Sequence, residues 1–114
     1  MKTGQAVITP GFKLKAKYII HTVGPIYDSY DKDNCKALLE NCYRNSLELA
    51  RDNDIHSIAF PCISAGVYGY PLIDSCKLAI NTVKRWNENH LDYDIDIIFV
   101  CFTDKEYETY TMMF

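Results

Sequence analysis

The chain has no apolar run able to span a bilayer: the longest strongly apolar stretch, Ile97 to Phe102, falls far below the roughly 20 residues a membrane helix needs. It has no excess of positive charge either. Twelve Lys and Arg against fifteen Asp and Glu give a formal charge of −3, and Lys13, Lys15 and Lys17 are too few to create a general pull toward nucleic acid. Four prolines and five glycines form no linker or low-complexity segment, and no internal repeat is present. No C-x-x-C pair occurs among Cys35, Cys42, Cys62, Cys76 and Cys101, and their number is odd. Each lies on the apolar side of an expected helix or strand, so they read as reduced core residues and exclude a disulfide frame or zinc site. His21, His56 and His90 share no ligand spacing, and no metal or cofactor is expected. No secretory leader precedes the first expected strand. A cytoplasmic protein that contacts neither membrane nor nucleic acid is the resulting expectation.

What is present is the composition of a globular domain, 48% hydrophobic and 24% charged over 114 residues. That is enough for one domain, 1–114, burying roughly 60–70% of the surface of its unfolded chain. Gln5–Thr9 and Lys17–Val23 read as strands joined by the turn Pro10-Gly11-Phe12, a connection short enough to imply an antiparallel hairpin. Cys35, Leu38, Leu39, Cys42, Tyr43, Ser46, Leu49 and Ala50 fall at helical spacing, with Asp33 or Asn34 as cap and Glu40–Arg44 as an outward pair. Ser57–Ile63 reads as a buried strand, Leu72 to about Asn89 as a second helix and Asp94–Phe102 as a last strand, apolar on both faces. Thr103 and Glu106 form a capping box for a final helix carrying Tyr107, Tyr110 and Phe114. Strand, helix, strand, helix, strand places parallel strands side by side with their carboxyl ends on one edge. Gly24-Pro25-Ile26-Tyr27, the 64–71 loop and Phe102-Thr103-Asp104 should converge there, where such sheets bind ligands.

The loop Ile63-Ser64-Ala65-Gly66-Val67-Tyr68-Gly69-Tyr70-Pro71 joins a buried strand to a helix through two glycines. Glycine there lets backbone approach a ligand, and unpaired N–H groups with the helix dipole attract an anion; a plain strand-to-helix turn would carry the same spacing. Gly69 is followed by Tyr70 and Pro71, which excludes the Lys-Ser/Thr of a nucleoside-triphosphate loop, and only the G-x-x-G part of a dinucleotide fingerprint exists. No arginine between Ile63 and Leu72 accompanies Cys62, so a thiol phosphatase is excluded and Cys62 reads as a small core residue.

This loop resembles the second phosphate-binding loop of macrodomains, modules that bind ADP-ribose and in some branches remove it from proteins. Thr3–Phe12, Lys17–Pro25 with its His-Thr-Val-Gly-Pro, and Cys42–Ala50 match further segments in the family's order. The chain is similar to the carboxyl-terminal two-thirds of a macrodomain; the family's first strands, its Asn-Ala-Ala-Asn motif and its glycine-rich first loop are not in it. The resemblance implies an α/β fold, three-layer α/β/α, here with a reduced mixed sheet of about four strands and helices packed on it. It also implies that Ser64, Ala65, Gly66, Val67, Tyr68 and Gly69 offer backbone N–H groups to the diphosphate and distal ribose, with Tyr68 or Tyr70 near that ribose. Ala65 stands where the family usually has Ser or Thr. Phe102 or Thr103 would lie near the adenine, although core membership suits Phe102 equally well.

His21 sits beside the phosphate-facing strand end, but the matching strand is mainly structural in the family; Asp28, Asp31 and Asp33 are explained by loop solvation. No catalytic residue is assigned. The leading expectation is a binding module for ADP-ribose, a related nucleotide diphosphate or an ADP-ribosylated protein, weakened by the missing segment. The alternatives are a hydrolase that removes mono-ADP-ribose from proteins or processes ADP-ribose 1''-phosphate, and a ligand-free assembly fragment. In the family a strand lies between those matching Lys17–Val23 and Ser57–Ile63, so these two should pair directly or admit a strand from another chain. Both crossover helices should share one face, leaving the last helix for the other. The surface left open suggests a homodimer or a complementing amino-terminal fragment.

Overall fold

The computed structural model describes all residues, Met1–Phe114. Strands β1 (Ala6–Pro10) and β2 (Tyr18–Thr22) are followed by helix α1 (Lys32–Asp52), strand β3 (Ser57–Phe60), helix α2 (Leu72–Glu88), strand β4 (Asp96–Phe99) and helix α3 (Asp104–Met113). The α/β class and the order of elements are those expected, and the helices pack on four strands of mixed direction. β1 and β2 form the antiparallel hairpin, Ile8 opposite Ile20, and β3 and β4 pair in parallel, Ile58 beside Ile97 and Phe60 beside Phe99. No helix is long and apolar enough to cross a membrane.

The start of α1, its outward pair and the sheet differ from expectation. α1 starts at Lys32, with Asp31 as its cap residue, and its side chain makes no capping bond; Asp33 and Asn34 lie inside the first turn, where Asn34 instead donates to Asp31 at 3.0 Å. Arg44 bonds to Asn41 rather than to Glu40, because Asn41 is three residues away on the same helical face and within reach of the guanidinium. Of the two arrangements expected for β2 and β3, direct pairing is the one not found. β2 and β3 do not pair, and the strands form two separate two-stranded sheets.

The core explains how the halves stay together without a shared ladder. α1 contributes Cys35, Leu39, Tyr43 and Leu47, and α2 contributes Leu78, Ala79, Val83 and Trp86; Phe60 and Tyr70 complete the cluster. Tyr43 packs on Phe60 with ring centroids 5.0 Å apart. α1 is also tied to the hairpin, since Cys42 Sγ donates to the Val23 carbonyl at 3.3 Å and Asn45 Nδ2 to the Gly4 carbonyl at 2.8 Å. One long helix thus spans both strand pairs and holds them apart. α3 also departs from expectation. Tyr110 stacks on Phe99 at 5.0 Å, and Phe99 in turn stacks near Phe60, so α3 joins α1 and α2 on one face. On a strand successive side chains alternate, and Ala59 and Ile98, which point the other way, are exposed. These 114 residues supply no helix to cover that second face.

Candidate functional site

The carboxyl ends of β2 and β3 come together. Gly24 is buried so close to the second loop that a Cβ on it would lie 2.2 Å from Ser64 Oγ and 2.7 Å from Ile63 Cγ2; only glycine allows this approach. Tyr27 N–H donates to the Tyr68 carbonyl at 2.8 Å, and the Tyr27 ring meets Tyr70 edge-on at 4.9 Å. The convergence of the 24–27 segment with the 64–71 loop is as expected from topology.

Within that loop three N–H groups are spent on its own shape: Ala65 donates to the Cys62 carbonyl (3.3 Å), Gly69 to Gly66 (3.0 Å) and Tyr70 to Ser64 (2.9 Å). Ser64 (φ 65°) and Gly69 (φ 75°) adopt the left-handed conformation that folds the loop back. The N–H groups of Ser64, Gly66, Val67 and Tyr68 donate to no carbonyl or side chain. They lie just before α2, whose cap residue Pro71 brings no capping side chain. Free N–H groups on a curled backbone at the positive end of a helix dipole are an arrangement able to receive an anion. Val67 is fully exposed, and a Cβ on Gly66 would meet nothing within 4 Å, so this part of the loop faces solvent.

The tyrosines separate by environment. Tyr70 is 6% exposed and belongs to the core, whereas Tyr68 is 41% exposed and borders two cavities at the mouth of the loop. Burial raises the Tyr70 phenol pKa. Phe102 is 76% exposed, which removes the core reading. The Thr103 hydroxyl caps α3 as expected, accepting from Glu106 N–H at 3.1 Å, while the Glu106 carboxylate reaches one residue further back than a capping box requires and accepts from Phe102 N–H at 3.0 Å; the cap occupies this hydroxyl. Neither residue borders the two cavities that Tyr68 lines. Cys62 lies beside Glu106 and Tyr110, and burial pushes its thiol up to about 12, a poor nucleophile at neutral pH. His21 bonds to Thr9 Oγ1 at 2.9 Å, across the hairpin. No three His, Cys, Asp or Glu side chains gather as a metal ion would require.

Between β2 and β3, which were expected either to pair directly or to admit a strand from another chain, lies an open slot, a cavity of about 1230 Å³ lined along one wall by Lys15–Thr22 and along the other by Asn53–Pro61, with Ser46 of α1 among its lining residues. Ser64 Oγ, at the end where Gly24 approaches, is buried without a hydrogen-bond partner. The signal for the slot was the pair of strands with no third to join them.

The fold and this loop define an α/β module with unspent backbone N–H groups at the carboxyl edge of its strands. A sequence model of the Macro domain matches residues 1–79, and the chain belongs to that family. It is 52% identical over 109 residues to a macro domain-containing protein of Ralstonia nicotianae, covering 96% of this chain and 61% of that one. It is 47% identical to the human ADP-ribose glycohydrolase MACROD2, covering 95% of this chain and 25% of the relative. Among solved structures, the Trypanosoma brucei macrodomain in complex with ADP-ribose superposes with a TM-score of 0.89 at 38% identity, over 98% of this chain and 46% of that one. An Oceanobacillus iheyensis macrodomain with ADP gives 0.88 at 40% identity, over 97% and 57%. The chain therefore spans about 61% of the Ralstonia relative and smaller shares of the others.

Proposed function

We propose that this chain is an ADP-ribose-binding module in which the diphosphate is received by the 64–71 loop. The observation that carries the reading is the set of four unspent N–H groups, on Ser64, Gly66, Val67 and Tyr68, at the amino end of α2. Ala65 and Gly69 shape the cradle rather than donate, and the exposed Tyr68 ring packs near the distal ribose. Phe102 offers an exposed face to the adenine side, with Thr103 holding the start of α3 in place. An ADP-ribosylated protein would present the same group. Calorimetry with ADP-ribose, and AMP as a control lacking the diphosphate, tests this directly. Gly66→Glu should abolish binding without unfolding the chain: the carboxylate would occupy the anion's place, and two charge-assisted hydrogen bonds of about 1.5–3 kcal/mol each would be lost. Unchanged affinity in that variant would move the site elsewhere.

Hydrolysis of the ADP-ribose link is the second reading, favoured by the 47% identity to a relative named as an ADP-ribose glycohydrolase. The segments matched in that relative are a quarter of it, and in this chain no carboxylate or imidazole hydrogen-bonds to the loop. We infer binding without turnover for the chain alone. A time course on a mono-ADP-ribosylated protein should show no release, and turnover lost in His21→Ala would reverse that conclusion.

A further inference from the structure

We propose that the turn of the β1–β2 hairpin is a docking tip for an anionic lipid surface, with Phe12 and Leu14 entering the interface and Lys13, Lys15 and Lys17 meeting the headgroups. This stands apart from the ligand reading, since the tip lies at the opposite end of β2 from Gly24 and the 64–71 loop.

Charge is unevenly placed along the chain. All fifteen Asp and Glu lie at Asp28 or beyond, so the hairpin Ala6–Thr22 has three lysines and no carboxylate. None of the three lysines takes part in an ion pair. Asp54, the one carboxylate bordering the same cavity as Lys15 and Lys17, is engaged by His56 Nε2 at 2.9 Å. The net charge of −3 points away from any membrane contact, but a surface meets the charges that face it. At physiological ionic strength the Debye length is about 8 Å. The five residues of β2 put roughly 17 Å between the tip and the segment that leads to Asp28.

The turn has a defined shape. Beyond the last ladder pair, Pro10 opposite Tyr18, Gly11 N–H donates to the Lys17 carbonyl at 2.8 Å and Leu14 N–H to the Gly11 carbonyl at 2.9 Å. A Cβ on Gly11 would lie 1.8 Å from the Ala16 carbonyl oxygen, so only glycine lets the turn close this tightly. Phe12 takes the left-handed conformation, φ 51°, which a bulky residue adopts at a cost, and its side chain is 84% exposed; Leu14 is 62% exposed. Neither joins the core. Every residue from Phe12 to Tyr18 is exposed, and apolar and cationic side chains alternate along Phe12-Lys13-Leu14-Lys15-Ala16-Lys17-Tyr18.

That alternation selects the partner. Three lysines alone create no general pull toward nucleic acid, and a polyanion in water gives Phe12 and Leu14 nothing to enter. An anionic bilayer places an apolar phase directly beneath a layer of negative charge, and apolar insertion with a basic cluster are the two signals that surface attachment combines. Lysine stems lie along the interface while their ammonium groups stay at headgroup level. Attachment through this tip leaves the 64–71 loop open to solvent.

The test is flotation of the purified chain with vesicles of phosphatidylcholine alone, and of phosphatidylcholine with phosphatidylserine in equal parts. The chain should float with the mixed vesicles only, and less so as salt is raised. Each lysine contributes about fivefold at such a surface, so Lys13→Gln, Lys15→Gln and Lys17→Gln together should weaken binding by about a hundredfold. Phe12→Asn with Leu14→Ser keeps all three lysines and a residue tolerant of positive φ; it should weaken binding by about tenfold or more. Both variants change exposed positions, so Trp86 fluorescence and the melting temperature should match those of the native chain. The vesicle comparison on the native chain decides the matter even where a variant fails to fold. No flotation with the mixed vesicles, equal flotation with both kinds, or full binding by the Phe12→Asn, Leu14→Ser variant would each overturn the proposal, the last by reducing the tip to a plain cationic patch.

Discussion

Gly66 and Gly69 stand three residues apart in one loop and carry different burdens. Gly69 has a φ of 75°, while a side chain at Gly66 would enter open space. Gly69→Ala should cost about 1–2 kcal/mol of stability through left-handed strain, whereas Gly66→Ala should stay within about 0.5 kcal/mol; urea unfolding of the two variants distinguishes them. Sequence reading identified both glycines as permissive but could not tell which one the backbone needed, because φ is set by how the loop closes. The same holds for Tyr68 and Tyr70, equal as sequence and opposite in burial. A pH effect belongs to this scale as well. His56 is raised from 6.5 by its hydrogen bond to the Asp94 carbonyl and then by Asp54, with Nδ1 2.5 Å from that carbonyl and Nε2 2.9 Å from the carboxylate. A raised folded value means the stabilisation is full below the ordinary value and is lost as pH rises through the raised one. The melting temperature of the native chain should therefore exceed that of His56→Gln most in mild acid, and the difference should shrink toward alkaline pH. A constant difference would show that packing against Tyr93, stacked at 4.8 Å, is the whole effect.

Among the elements, the two long helices are joined by a polar staple as well as by the core. Trp86 Nε1 donates to Glu48 Oε1 at 2.8 Å, and His90 stacks on the indole at 4.1 Å with its Nε2 3.4 Å from the same carboxylate. Glu48→Ala should cost about 1–2 kcal/mol, since it leaves a largely buried indole without its acceptor. Trp86 is the single tryptophan, so its fluorescence reports the loss directly. At the other end, Thr103→Ala removes the cap of α3 at a cost of about 0.5–2 kcal/mol. The expected result is faster amide exchange across 104–113 and release of Tyr110 from Phe99. This cap was legible as Thr103 with Glu106 three residues on, a local pattern complete within one turn. The start of α1 was not, because Asp31, Asp33 and Asn34 all carry cap-type side chains, and the helix begins at Lys32, a turn's length before the residue the pattern pointed to.

Across the whole molecule, a single-faced arrangement follows from where the chain puts its helices. α1, α2 and α3 lie on the side of Phe60 and Phe99, while Ile98 (55% exposed) and Ala59 face away uncovered. Strands with open edges and an apolar outer surface favour association. We expect the isolated chain to self-associate through that outer face at micromolar concentration, giving a dimer-sized or larger mass by light scattering. A monomer with a cooperative melt would show that the two strand pairs are sufficiently covered by α1 and α2 alone.

Local order in the sequence determined the elements themselves: a short turn between two strands gave the hairpin, 3.6-residue spacing gave α1 and α2, and a two-glycine junction marked the loop that leads into α2. These are short-range properties, settled by backbone sterics and by which side of an element is apolar. Only the tertiary structure decided that Ser64, Gly66, Val67 and Tyr68 keep their N–H groups free while Ala65 and Gly69 spend theirs, and that β2 and β3 stand apart with an open slot between them. Hydrogen-bond partners between segments some forty residues apart depend on where α1 holds each strand pair, a distance that no local pattern in the chain encodes.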